Sequence, residues 1–180
     1  MYARRPETKE NASRRAVLAV VKEMLEEGSF HESTVEEVAS RAGVSRATLY
    51  QHFGSRLGLI DAYCDVMAEN PILRSIRETD DIDLLIERAV EFWASEERAL
   101  VQLYGAAAVD AAARDFVDRQ RRDRYSELHR ILRVNGRDDP VRHSGLALLT
   151  SFETYRELRR EAGRPKREVV HMLQSLAEAL

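Results

Sequence analysis

The chain has 180 residues, 44% of them hydrophobic and 33% charged, with a formal net charge of −3, which suits a soluble globular protein of one or two domains with an ordinary buried core. Four prolines, eight glycines and apolar residues at helical spacing almost throughout argue against a sheet-based fold and for all-α structure. The single Cys64 cannot form an internal disulfide, the longest apolar run (99–113, interrupted by Gln102 and Asp110) is too short for a membrane span, and no signal-peptide pattern is seen, so a cytoplasmic protein is expected.

Charge is uneven along the chain. Residues 1–56 hold nine Lys/Arg against eight Asp/Glu, and the remainder 19 against 23. In the first fifteen residues Arg4, Arg5, Lys9, Arg14 and Arg15 outweigh Glu7 and Glu10, a basic arm that either meets a nucleic-acid backbone or is simply solvated.

Asn11 or Ser13 can start a first helix carrying Val17, Val20, Val21, Met24 and Leu25, which Gly28 ends. Phe30 then plugs a small core. Thr34 caps the next helix, whose apolar positions Val35, Val38, Ala39 and Ala42 recur at three- and four-residue spacing, and Gly43 makes a tight turn. Ser45 caps another helix at once, with Val44 and Leu49 to hold the pair together and Arg46, Thr48, Tyr50 and His52 as polar groups. Ala39 permits a close crossing, the short turn forces a steep angle, and no acidic side chain between Ser45 and Phe53 would repel phosphate. Residues 34–53 therefore read as a DNA-reading helix-turn-helix, against the plainer reading of two amphipathic helices joined by a glycine.

Ser55 caps a connecting helix with Arg56 in its first turn, where the helix dipole disfavours a cation and a phosphate would explain one. Asn70-Pro71 ends or bends that helix. Helices over 81–94, 96–109, 111–134 (closed by Asn135-Gly136), 140–160 and 166–180 follow, about nine in total. The expected domains are 1–54, the arm and helix-turn-helix, and 55–180, a larger helical body.

The stretch GSF..STVEEVASRAGVSRATLYQHFGSR..L closely resembles the N-terminal signature of the TetR family of bacterial transcription regulators, over about Ala12 to Ile60. The Thr34 start, the Ala39/Gly43 pair, Val44-Ser45, the Leu49-Tyr50-x-His52-Phe53 run and a basic residue at 56 stand where the family has them. Arg56 replaces the commoner lysine, and Gly58 stands where the family usually has an acidic or helix-forming residue, which would loosen the connecting helix.

The resemblance implies an all-helical homodimer that presents two reading heads to a palindromic operator in double-stranded DNA, with a small-molecule effector bound in the body. On that reading Arg46 and Thr48 lie nearest base edges, Thr34, Tyr50, His52 and Arg56 meet phosphates, and Ser45 positions the reading helix. The effector cavity is expected among Met67, Trp93, Tyr104, Phe116 and Tyr125, with Phe92, Leu100 and Phe152 as further wall, for a mostly lipophilic molecule. Phe152, Tyr155, Val169, Leu173 and Leu176 on the last two helices are expected at the dimer interface. The expected sign is repression relieved by ligand, with activation as the other possibility. The rivals are a ligand-independent DNA-binding protein and a small helical enzyme with a regulator-like head.

No catalytic motif, phosphate-cradling loop or cofactor signature is present, so no enzyme activity or cofactor is expected. Cys64 reads as packing rather than a redox sensor, and His129, His143 and His171 lack paired metal-ligand spacing.

Overall fold

A computed structural model describes residues 9–180, apart from the side chains of Lys9 and Ala112; Arg4 and Arg5 of the basic arm lie outside the described residues. Ten α-helices follow one another, with no strand among the described residues: α1 (Lys9–Glu27), α2 (Val35–Arg41), α3 (Arg46–Phe53), α4 (Arg56–Ala68), α5 (Pro71–Glu78), α6 (Ile82–Ala106), α7 (Ala111–Val134), α8 (Pro140–Leu149), α9 (Phe152–Arg156) and α10 (Lys166–Glu178). A 3₁₀ turn covers Phe30–Glu32, and a π-helical turn at Glu157–Glu161 extends α9.

Three segments differ from the sequence expectation, each for a local reason. Asn70-Pro71 ends α4 but also starts α5, because the Asn70 side chain accepts the Ile72 N–H at 2.9 Å and Pro71 takes the first helical position, where no N–H is needed. The helices expected over 81–94 and 96–109 are one 25-residue helix, α6. No glycine or proline stands at the supposed break, and the Ser95 hydroxyl returns to the Phe92 carbonyl at 2.9 Å instead of capping a new helix. Conversely, the helix expected over 140–160 breaks at Thr150-Ser151. The Thr150 hydroxyl donates to the Leu146 carbonyl, the Thr150 carbonyl accepts the Trp93 indole N–H at 3.2 Å, and Ser151 caps α9 through the Thr154 N–H.

The chain divides into two compact units. The first holds the described residues up to Met67 together with Arg98–Val117, and the second holds Ala68–Glu97 and Asp118–Leu180. In the first, α1, α2 and α3 pack on one another around buried Val17, Val21, Val38, Leu49 and Phe53. In the second, an aromatic chain runs from Phe92 to Trp93 (centroids 5.0 Å apart), Phe152 (5.6 Å) and Tyr155 (6.2 Å). The Tyr155 hydroxyl donates to Glu97 at 3.2 Å, and Arg160 pairs with the same carboxylate at 2.6 Å.

Gly58 has a steric reason rather than a loosening role. A Cβ there would lie 1.9 Å from the Phe53 carbonyl oxygen, so the backbone at the end of α3 sits where any side chain would go. Gly58→Ala therefore gains up to about 1 kcal/mol of helix propensity but loses about 1–3 kcal/mol to overpacking. A net lower unfolding midpoint in urea is expected; an unchanged or higher midpoint would mean that the two helices separate without cost.

Candidate nucleic-acid interface

The recognition pair is built from its ends inward. Thr34 accepts the Glu37 N–H at 3.2 Å while the Glu37 carboxylate accepts the Thr34 N–H at 2.7 Å, a reciprocal cap that fixes where α2 begins. At the other end the Val44 N–H reaches the Ala39 carbonyl and the Gly43 N–H the Ser40 carbonyl, at 3.0 and 3.1 Å. This closure needs a left-handed residue, and Gly43 has φ +64°. Two residues later the Ser45 hydroxyl accepts the Thr48 N–H at 3.0 Å and starts α3. Together these bonds set the angle between α2 and α3.

On α3 the burial pattern separates two faces. Leu49 and Phe53 are buried, while Arg46, Ala47, Tyr50 and Gln51 are exposed, with Thr48 and His52 half-buried beside them. Positions i, i+1, i+4 and i+5 form one stripe on a helix, so the four exposed residues share a face. Arg46 pairs with Glu36 at 2.6 Å and lies 5.3 Å from the Tyr50 ring centre; both partners of the ion pair are more than half exposed, so the guanidinium is held weakly and can exchange partners. Thr48 and Ser45 share a hydroxyl contact of 2.8 Å. His52 sits edge-on to Phe53, whose ring also carries the Arg14 guanidinium at 5.1 Å, which places one cation of the expected arm beside the reading helix.

Gln51 and Ala47 were not singled out from sequence. The signal was there, because each lies one helical turn from an expected contact, but a short polar run has no periodicity that separates its faces until Leu49 and Phe53 are seen to be buried.

Arg56 is turned inward. Its guanidinium donates to the Ser33 carbonyl at 2.5 Å and to the Phe30 carbonyl, and it lies 4.4 Å from the Phe30 ring centre. Burial pushes its pKa down, and Asp110 opposes that. It ties the start of α4 to the link that enters α2.

The residues expected around an effector are distributed over both units. Met67, Tyr104 and Phe116 belong to the first unit, and Tyr125 is exposed in the second, 5.0 Å from the His143 ring. Trp93 does line a cavity, which lies wholly within the second unit, has a volume of about 70 Å³, and is walled by α5, α6 and α7 with Thr150. Phe92 shares that wall. Of the residues expected at a dimer interface, Phe152, Tyr155, Val169 and Leu173 are at most 1% exposed within the single chain, because they fill the second unit's own core; Leu176 is half exposed. Cys64 is buried, and no group of three or more His, Cys, Asp or Glu among the described residues is placed to hold a metal ion. No helix among the described residues is long and apolar enough to cross a membrane.

Residues 17–63 match the family of bacterial regulatory proteins, tetR family. A 78-residue stretch is 33% identical to the HTH-type transcriptional activator FasR of Mycolicibacterium smegmatis, taking in 42% of this chain and 36% of that protein; the match thus spans about a third of the curated relative. Over most of its length the chain shares a fold with a transcriptional regulator of Aquifex aeolicus (TM-score 0.71, 19% identity, 91% of this chain and 96% of that one). A protein of Saccharomonospora viridis, assigned as a transcriptional regulator and solved in complex with choline, is similar in the same way (TM-score 0.65, 19% identity, 92% and 95%).

The inward geometry of Arg56 makes a prediction about stability. Arg56→Ala should cost about 2 kcal/mol, as loss of charge-assisted bonds to two carbonyls does, and Arg56→Lys should recover only part of it, since a point charge cannot serve both acceptors and the ring. Thermal unfolding reads this out; a variant with wild-type stability but weakened DNA binding would instead return Arg56 to the phosphate role.

Proposed function

We propose that this chain, which belongs by its N-terminal domain to the TetR family of bacterial regulatory proteins, is a cytoplasmic DNA-binding transcriptional regulator that grips a palindromic operator as a homodimer and responds to a small effector. The observation that carries the reading is the α3 face, where Arg46, Ala47, Tyr50 and Gln51 stand exposed on a short helix held at both ends. A guanidinium matches guanine, an amide matches adenine and a methyl matches thymine, so this stripe holds the side-chain types that read base edges in a major groove. Thr34 and Arg14 flank it as backbone contacts.

A palindrome needs two heads about 34–36 Å apart. The apolar surface that supports pairing is the exposed one on α8 and α10, which pack against each other: Val141 and Leu148, seven residues apart on one face of α8, and Leu176 on α10. Effector binding belongs to the cavity of the second unit. α6 and α7 contribute residues to both units, so a ligand that favours one arrangement of these helices alters the population of heads able to bind DNA. Repression relieved by the effector follows if the bound dimer blocks a promoter. Activation is the second reading, favoured by the Mycolicibacterium relative, which is a transcriptional activator.

A gel-shift titration of the full chain against DNA from its own upstream region should show sequence-specific binding with steep salt dependence. Arg46→Ala, Thr48→Ala and Gln51→Ala should each relax specificity, at a cost of about 1–3 kcal/mol for a lost base contact. Binding that ignores sequence would sink the regulator reading. In sedimentation, Leu148→Glu with Leu176→Glu should convert a dimer into a monomer that keeps its helical content, because both side chains are exposed in the single chain. A variant that stays dimeric would place the interface elsewhere.

A further inference from the structure

The cavity of the second unit has an apolar floor and a guanidinium with buried N–H groups that the fold leaves unused. Leu85, Phe92, Trp93 and Leu128 are buried and line it, with Leu73 and Ile76 of α5 half-buried. Three of its polar groups are committed. Trp93 donates its N–H to the Thr150 carbonyl, the Thr150 hydroxyl donates to Leu146, and Glu127 accepts Arg130 at 2.9 Å, with Arg130 also held by Asp80 and the Thr79 carbonyl. Arg124 is different. Its Nε and Nη1 atoms are buried, and neither has a hydrogen-bond partner among the described residues. No ion pair joins it to Asp123 or Glu127, which also line the cavity.

A guanidinium cannot shed its proton, so its buried N–H groups keep their demand for an acceptor. In native structures such groups are almost always satisfied, and a group that the protein's own atoms leave without a partner calls for an ordered water, an ion or a ligand. The acceptor that fits best is an oxyanion, because charge-assisted bonds to a guanidinium are about twice as strong as neutral ones. Leu73, Ile76, Leu85, Phe92, Trp93 and Leu128 make an apolar part of the wall, and the volume is about 70 Å³, so the molecule that carries the oxyanion must be slim and largely apolar.

We infer that Arg124 is the anion-binding subsite of this cavity and that its ligand is an amphipathic monocarboxylate, with the carboxylate on Arg124 and the aliphatic or aromatic tail against Phe92, Trp93 and Leu128. The inference deepens the effector reading and rests on it. Arg77, on α5 at the same cavity, adds a second cation and favours the same sign of ligand. Of the two lining carboxylates, Glu127 is paired with Arg130, so Asp123 is opposed by two guanidinium groups, Arg124 and Arg77.

The test uses the full chain and three probes with one tail: octanoate, octan-1-ol and octylamine, titrated by calorimetry. Octanoate should bind at least tenfold more tightly than octanol, and octylamine no better than octanol. Arg124→Gln should abolish the preference for octanoate while leaving octanol binding in place, and the unliganded variant should melt at or above the wild-type temperature, since it loses no bond. Equal affinity for the three probes, a preference for octylamine, no octanoate binding at millimolar concentration, or a lower melting temperature for unliganded Arg124→Gln would each overturn the inference. A parallel gel shift separates the two readings. Octanoate that binds through Arg124 without changing DNA affinity would leave the subsite standing and remove the effector reading. A neutral compound that releases DNA while octanoate fails to bind would do the reverse.

Discussion

The head depends on one tie, the Arg56 guanidinium on the carbonyls of Phe30 and Ser33. Phe30 begins the 3₁₀ turn in the link between α1 and α2, Ser33 follows its end, and the next residue, Thr34, is the cap that starts α2. Without a donor, the link would hold two carbonyls with weaker partners, and the origin of α2 would lose its anchor. The second constraint meets the first two residues later, where Gly58 lets the backbone at the end of α3 approach α4. One residue of α4 therefore holds the entrance of α2, and another accommodates the exit of α3. The reading helix is fixed at both ends by short-range chemistry.

This arrangement changes where positive charge comes from. With Arg56 used inside the head, the described cations beside α3 that the proposed reading brings to DNA include Arg46, in a weak exposed pair with Glu36, and Arg14, over the Phe53 ring. An exposed ion pair contributes little to stability, so exchange of Glu36 for a phosphate or a guanine costs little. On the proposed reading, the Glu36 carboxylate would disfavour DNA that offers Arg46 no good partner in return.

Much of the head was legible in the sequence because its signals are local. Thr34, Glu37, Gly43 and Ser45 act within three to five residues of themselves, and a cap or a left-handed turn has a recognisable residue type. Arg56 and Gly58 carried equally clear residue types, but their partners lie 23 to 26 residues back for Arg56 and on another helix for Gly58, so sequence alone pointed Arg56 outward and made Gly58 a weakness. In the body the same limit explains the misplaced boundaries. The break at Thr150 depends on a bond from Trp93, 57 residues away, and nothing in the run 140–160 foretells it. The apolar residues of α9 and α10 were visible, but whether Phe152 and Leu173 face their own unit or a second copy is decided by packing that periodicity does not encode.

The exposed stripe of α3 is the proposed DNA-reading surface. Backbone amide spectra of the full chain, recorded while its upstream DNA is added, test this residue by residue. Saturable shifts concentrated at Arg46, Ala47, Tyr50 and Gln51 are expected, with smaller ones at Thr34 and Arg14, and no comparable shifts for scrambled DNA of the same length. Shifts centred on α8 and α10, or equal shifts with scrambled DNA, would contradict it.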